Sequence, residues 1–159
     1  MKKFLIMLLS ITMTISLYAC SVSDKEKAAS MFISSYYAQY ENKEEIKDLL
    51  NSANPPAEIE AFISDNFINQ LTEKGKIALI SNRILPKFDV LESQITKAEA
   101  DDYSFSEADN EIEGTLRFSA KVSFRYEDGS SSEKVVTGLI RIENENGRYL
   151  VDGFKFIED

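Results

Sequence analysis

The chain has 159 residues, 43% of them hydrophobic, which is enough for one domain with a substantial core. Its formal net charge of −9 repels nucleic acid and anionic lipid, so neither is expected to bind through bulk electrostatics. Histidine is absent and Cys20 is the only cysteine, which argues against histidine-dependent nucleophiles, transition-metal sites and an intrachain disulfide.

The N-terminal segment has the layout of a secretory signal. Lys2 and Lys3 form a basic start, and an apolar run follows from Phe4 to Ile15. About 20 apolar residues are needed to span a bilayer, so this run is too short to cross one. The arrangement is typical of a signal that is cleaved on export.

The segment Leu17-Tyr18-Ala19-Cys20 resembles the bacterial lipobox, whose pattern is Leu-x-(Ala/Gly/Ser)-Cys. Tyr18 occupies a tolerant position, although it is bulkier than usual there. The resemblance implies cleavage before Cys20, diacylglycerol on its sulfur, and a mature protein anchored outside the bacterial cell membrane or to an outer membrane. An ordinary signal peptide, or an N-terminal anchor with a chance cysteine, is the alternative.

These residues divide the chain into three expected parts. Residues 1–19 form the cleaved signal, 20–23 the lipidated cysteine with a short tether, and 24–159 a single domain. Cleavage removes Lys2 and Lys3 from the 18 basic residues and none of the 27 acidic ones, which leaves a formal charge of −11. A tether of three or four extended residues reaches about 10–14 Å, so the domain is expected close to the lipid headgroups.

The first half of the mature chain is predicted to be helical. Ser23 and Glu26 form a capping box. The residues that follow at helical spacing are Ala29, Phe32, Ile33, Tyr36, Tyr37 and Tyr40. Asn42 with Glu45 predicts a second helix, whose apolar face is Ile46, Leu49 and Leu50.

Pro55 and Pro56 predict the start of a third helical region. We interpret it as two short helices kinked near Ser64 and Asp65, and their apolar stripe is Ile59, Phe62, Ile63, Phe67, Ile68 and Leu71. Gly75 predicts a stop or bend. One further helical face before Pro86 consists of Ile77, Ile80 and Ile84.

The hydrophobic period then changes from 3.6 to 2. Even positions from Ile112 to Tyr126 are apolar or small and odd positions are polar, which indicates a long strand with one buried face and Gly114 as a candidate bend. Glu127–Ser130 predicts a hairpin turn, and Val135–Ile142 the return strand.

The last predicted turn lies at Asn144–Gly147, and the last strand, Tyr149–Ile157, carries a bulge at Asp152-Gly153. Phe88–Ala98 and Tyr103–Glu107 are predicted as two earlier strands. Helices followed by a curved antiparallel meander indicate an α+β domain, with N-terminal helices packed on one face of the sheet.

This order of elements, and the ending from Gly147 to Phe154, resemble the NTF2-like cone fold, in which a Gly-(Lys/Arg)-aromatic-x-(Ile/Val) pattern opens the last strand. The likeness covers roughly residues 24–159. It implies a pocket between the concave sheet face and the helices, where some members, such as ketosteroid isomerases, use Asp and Tyr. Other members belong to conjugation and secretion assemblies.

Two groups of residues are candidates for function. Tyr36, Tyr40, Phe118 and Phe124 are predicted to line such a pocket, although tyrosines at helical spacing are commonly core residues. Carboxylates that could bind a hard cation lack calcium-loop spacing and are interpreted as a solvated loop and strand edge: Glu99, Asp101, Asp102, Glu107, Asp109, Glu111 and Glu113.

We therefore expect a binding protein of the cell envelope, with no catalytic residues, metal or cofactor. Its expected partner is another envelope protein, with a small apolar ligand in the cone, an accessory role in conjugation or secretion, and an Asp/Tyr isomerase as alternatives. The solvated strand face carries Arg117, Lys121, Arg125 and Arg141, which is compatible with a polar protein contact and equally with plain solvation. A homodimer through the sheet is a further expectation.

Overall fold

The computed structural model of the protein describes residues 23–109 and 111–157. Within this part of the chain, four α-helices precede four antiparallel strands, which confirms the predicted α+β class. The helices are α1 Asp24–Ala38, α2 Lys43–Asn51, α3 Pro55–Asn66 and α4 Glu73–Ser81. The predicted signal and Cys20 lie outside the described residues. No helix in residues 23–109 or 111–157 is long and apolar enough to cross a membrane.

The strands form one sheet in the order β1-β2-β3-β4, and shifts in register between neighbours curve it around α1. The strands are β1 Ile95–Glu107, β2 Thr115–Tyr126, β3 Ser131–Glu145 and β4 Arg148–Phe156. Gly129, Asn146 and Gly147 have φ angles of +84°, +54° and +83°, which tight hairpin turns require. Both predicted hairpin turns are confirmed.

The first helix begins at the predicted capping box. The Glu26 N–H donates to the Ser23 hydroxyl at 3.2 Å, and the Ser23 N–H donates to the Glu26 carboxylate at 2.8 Å. The predicted apolar stripe is buried in full: Ala29, Phe32, Ile33, Tyr36, Tyr37 and Tyr40. The ring centroids of Phe32 and Phe154 lie 5.0 Å apart, so α1 packs directly on the sheet.

The second strand has the predicted period of two. Its inward residues Leu116, Phe118, Ala120 and Val122 are buried. The strand begins at Thr115, three residues later than predicted, because Gly114 adopts a φ of +82° and interrupts the extended chain.

The predicted bulge in the last strand is also confirmed. Arg141 of β3 pairs with Gly153, and Ile142 pairs with Val151, so Asp152 is the extra residue. The bulge changes the alternation of β4, and both Val151 and Asp152 are buried.

Asp152 joins α4 to the sheet. Its carboxylate accepts hydrogen bonds from the Thr72 hydroxyl at 2.6 Å, the Lys74 ammonium at 3.3 Å and the Arg141 guanidinium. The Thr72 hydroxyl also caps α4 by accepting the Gly75 N–H at 2.8 Å. Burial alone would raise the pKa of Asp152, but these hydrogen bonds outweigh it and lower the pKa. Arg141, expected on the solvated face, is thus half-buried and bonded within the fold.

The prediction that Gly75 stops or bends a helix is wrong. Gly75 lies in the first turn of α4 and is buried. A Cβ at this position would lie 2.4 Å from the Val151 carbonyl oxygen and 2.8 Å from the Asp152 Cα. The glycine therefore allows α4 to approach β4 closely.

The predicted strands Phe88–Ala98 and Tyr103–Glu107 have the wrong bounds. Phe88–Glu92 is a 3₁₀ helix, and β1 includes both the end of the first prediction and all of the second. Asp102, at a φ of +47°, lies where the pairing of β1 with β2 shifts register. A short apolar run such as the one at Phe88 does not distinguish a helical segment from a strand.

The predicted kink near Ser64 and Asp65 is wrong as well. α3 is one helix through Asn66, in which the Ser64 hydroxyl donates to the Glu60 carbonyl at 2.8 Å. Three apolar residues expected on buried helical faces are exposed instead: Leu50, Ile68 and Ile77. Ile68 follows the end of α3, and α4 turns Leu79 rather than Ile77 toward the core.

Candidate functional site

An open cleft lies where the C-terminal end of α1 faces the end of β4 and the start of β3. It encloses about 570 Å³. We call it the tyrosine cleft, and its lining consists of Tyr36, Tyr37, Tyr40, Lys87, Phe124, Lys134, Val135, Val136, Thr137, Phe156 and Ile157. It therefore lies between the inward face of the sheet and the first helix.

Aromatic packing fixes the walls of the tyrosine cleft. The Tyr36 and Tyr37 rings are nearly perpendicular, with centroids 5.4 Å apart. Phe124 meets Tyr37 at 6.2 Å and Tyr40 at 6.1 Å, both edge to face. Phe156 approaches Tyr36 at 5.5 Å from the sheet side. These edge-to-face and tilted contacts are the favourable geometries for aromatic pairs, so the walls are preformed.

Gln39 positions the segment that closes one side of the cleft. It is buried just after the end of α1, where its side-chain N–H donates to the Tyr36 carbonyl at 3.0 Å. Its side-chain oxygen accepts the Lys87 N–H at 2.9 Å. This amide therefore ties Lys87, 48 residues further along the chain, to the tyrosines.

Lys87 lies above two of these rings. Its Nζ is 5.2 Å from the Tyr36 ring centroid and 5.5 Å from that of Tyr40, which are cation–π distances. The same ammonium pairs with the Asp89 carboxylate at 2.6 Å, and the side chain is only 11% exposed. Lys87 is thus a largely enclosed cation at the edge of an aromatic wall.

Tyr36, Tyr37 and Tyr40 all line the cleft. Among the described residues, the hydroxyls of Tyr36, Tyr37 and Tyr40 make no hydrogen bond within the chain. None of these three oxygens is among the fully buried polar atoms that lack a hydrogen-bond partner. The Tyr103 hydroxyl, by contrast, donates to the Ala100 carbonyl at 2.7 Å.

Burial raises the pKa of these phenols, and the charge of Asp89 raises it further. The pKa of Tyr40 rises to about 12, and the pKa values of Tyr36 and Tyr37 rise beyond it. The phenols therefore stay protonated at neutral pH. They can donate hydrogen bonds but are not bases.

The structure brings together three of the four residues predicted to line a pocket. Tyr36, Tyr40 and Phe124 line the tyrosine cleft. Phe118 does not, because it is 1% exposed and stacks beneath Phe154 at a centroid distance of 5.6 Å.

Sequence reasoning missed the two lysines of the cleft. Lys87 comes from a segment without periodicity, and its position depends on the Gln39 side chain. Lys134 could have been found, because it lies at an even position of β3, in phase with the inward residues Val136 and Gly138.

A second cleft of about 660 Å³ adjoins the first and shares Tyr36, Lys87 and Phe156 with it. Asp89 also lines it, so an aspartate and a tyrosine do occur together. The Asp89 carboxylate is paired with Lys87, and none of its hydrogen bonds within the described chain reaches a tyrosine. In the two clefts as the structure describes them, the one carboxylate among the lining residues is therefore already paired with a lysine.

The acidic stretch from Glu99 to Glu113 lies at the edge strand β1 and in the loop after it, with its carboxylates exposed. Several of them meet lysines: Glu99 is 2.9 Å from Lys97, and Asp102 is 3.2 Å from Lys121. In the part of the chain that the structure describes, no three acidic residues gather closely enough to hold a metal ion.

The fold and the cleft define an α+β domain with an open, aromatic-walled candidate binding site. The chain matches no protein-family model. No curated protein matches it significantly in sequence either.

Proposed function

We propose that the mature protein is a lipid-anchored extracytoplasmic binding protein that holds a small, largely apolar ligand in the tyrosine cleft. One observation carries the proposal: three tyrosines and two lysines line an aromatic cleft whose walls are preformed. Its volume of about 570 Å³ is within the range of about 300–1,000 Å³ that is usual for ligand sites. The resemblance of the whole domain to the NTF2-like fold supports the same proposal, since it implies a pocket in this place.

The proposed anchor rests on the lipobox resemblance and agrees with the start of the domain. The capping box places the first helical turn at Ser23, three residues after Cys20. Two acyl chains hold a protein stably on a membrane, whereas one does so only marginally. A lipid at Cys20 would therefore keep the N-terminal end of α1 next to the bilayer surface.

The geometry of α1 separates the anchor from the cleft. Tyr36 lies 12 residues beyond Asp24, which at 1.5 Å per residue is about 18 Å along the helix axis. The cleft is therefore at the opposite end of α1 from the attached lipid. We infer that it takes its ligand from the envelope space rather than from the interior of the bilayer.

We expect Phe156→Ala to weaken binding of n-decanol about tenfold. Phe156 forms a wall of both adjoining clefts and is 36% exposed, so its ring contributes ligand contact at moderate cost to the fold. A loss of roughly 1.4 kcal/mol of binding free energy, from the lost apolar contact, corresponds to a tenfold weaker affinity. Isothermal titration calorimetry on the Cys20→Ser chain, which lacks the lipid, gives the affinities, and thermal unfolding checks the fold.

Ile77→Ala is the control, because it removes an exposed apolar side chain from α4, outside the lining of both clefts. It should leave the affinity unchanged. Equal weakening by both substitutions, or no binding of n-decanol by the unsubstituted cleft, would contradict the proposed site.

An envelope protein is the second candidate for the ligand, and the sequence alone favoured it. The observation in its favour is that Leu50, which lines the adjoining cleft, is 58% exposed. A partner segment lying across both clefts would cover this side chain, whereas a ligand within the tyrosine cleft leaves it in solvent.

A further inference from the structure

We infer that the ligand of the tyrosine cleft is an amphipathic anion, with an apolar body and a single carboxylate or phosphate head. This inference rests on the proposed binding function and specifies the chemical class of its ligand. It follows from the charges and hydrogen-bonding groups that face the two clefts.

The clefts are basic in an acidic protein. Lys87 and Lys134 line the tyrosine cleft, and Arg83 and Lys155 line the cleft that adjoins it. Asp89 is the one acidic residue in either described lining. Because the mature chain is expected to carry a formal charge of −11, this reversal of sign is local, and it makes the cleft complementary to an anion.

Lys134 is the clearest sign of this complementarity. It stands opposite Val122 and in phase with Val136, so it belongs to the concave face of the sheet, where apolar residues are otherwise the rule. In the described chain, no ion pair involves Lys134. Lys121, on the opposite face of the same sheet, lies within 4.0 Å of three carboxylates.

The polar groups of the tyrosine cleft are mostly donors. The Lys87 and Lys134 ammoniums have no acceptor function, and the Lys87 ammonium is already paired with the Asp89 carboxylate. The tyrosine hydroxyls of the lining can also donate. Thr137 already donates to the Ile157 carbonyl at 3.3 Å. A carboxylate or phosphate accepts several hydrogen bonds at once and binds ammonium groups more strongly than a neutral hydroxyl does. A cationic head would instead meet the like charge of Lys134, for which the described chain provides no ion pair.

Four ligands with the same ten-carbon tail test the inference, each below its micelle-forming concentration: n-decanol, decanoate, decyl phosphate and decyltrimethylammonium. We expect both anions to bind the Cys20→Ser chain at least about tenfold more tightly than n-decanol, as one charge-assisted hydrogen bond would provide. The cation should bind most weakly. The order of decanoate and decyl phosphate identifies the head group.

Lys134→Gln should remove most of the preference for anions, measured as the ratio of the decanoate affinity to the n-decanol affinity of the same variant. Lys27→Gln is the matched control: it removes the same charge from an exposed residue of α1 whose ammonium pairs with Asp24 at 3.0 Å. Lys27→Gln should preserve the preference for anions over n-decanol. If the anions were attracted only by the overall charge, both substitutions would reduce that preference equally.

The outcomes separate this inference from the proposed function. Equal affinities for n-decanol and the anions, tightest binding of the cation, or equal effects of the two lysine substitutions would overturn the inference, with the binding function intact. Failure of all four ligands to bind would overturn both.

Discussion

Gly138→Ala is expected to destabilise the domain by about 3 kcal/mol or more, because overpacking and backbone displacement act together. Gly138 stands opposite Phe118 on β2, whose ring occupies the space that a side chain would need. A Cβ would lie 2.4 Å from the Phe118 ring and 2.5 Å from the Lys155 carbonyl oxygen. The ring cannot move aside freely, since it is 1% exposed and stacked on Phe154.

Urea unfolding followed by tyrosine fluorescence measures this loss, since the chain has seven tyrosines and no tryptophan. Gly129→Ala is the control. Its Cβ would meet no atom within 4 Å, and only the φ of +84° opposes it, at about 1–2 kcal/mol. If Gly138→Ala cost no more than Gly129→Ala, the packing of Phe118 described above would be wrong.

Cys20→Ser is expected to transfer the protein from the detergent phase to the aqueous phase in detergent partitioning of whole cells. The serine hydroxyl replaces the thiol that would be acylated, so the variant should lack diacylglycerol, and its mass should show no lipid on residue 20. Mass spectrometry of the native protein should find that mass on residue 20.

Tyr18→Ala is the control for this prediction, because it leaves Leu17, Ala19 and Cys20 in the lipobox pattern. It should stay in the detergent phase. An unmodified thiol at Cys20 in the native protein would contradict the proposed anchor, while the cleft in the folded domain would be unaffected.

The sequence predicted elements that local chemistry determines. The capping box at Ser23 requires only residues three apart, and the alternation along β2 arises because one sheet face is buried. Asn146 and Gly147 adopt the positive φ angles that their residue types favour. The bulge at Asp152 was visible as a change in the phase of apolar residues.

The errors occur where distant segments decide the outcome. Gly75 resembles a helix stop, yet its hydrogen atom is needed because β4 passes within contact distance. The segment from Phe88 is apolar enough for a strand, but it folds as a 3₁₀ helix whose entry is held by Gln39 through Lys87. Neither constraint appears in the neighbouring residues.

Only part of the candidate site could be predicted from the sequence, because distant segments meet there as well. Tyr36 and Tyr40 could be identified from helical spacing and Phe124 from strand alternation. Phe118 belongs to the same alternation, but the sheet curves so that Phe154 and Phe156 cover it. The cations of the cleft come from segments that meet only in the folded chain, so the inference of an anionic ligand could not be made from the sequence.

Backbone amide NMR of the Cys20→Ser chain titrated with n-decanol locates the bound ligand on the domain. We predict that shift changes concentrate at Tyr36–Tyr40, Lys134–Thr137 and Phe156–Ile157, the segments that meet at the cleft. Changes centred instead on Ala78–Asn82, which border a separate cavity near Arg141, or spread evenly over the domain, would contradict it.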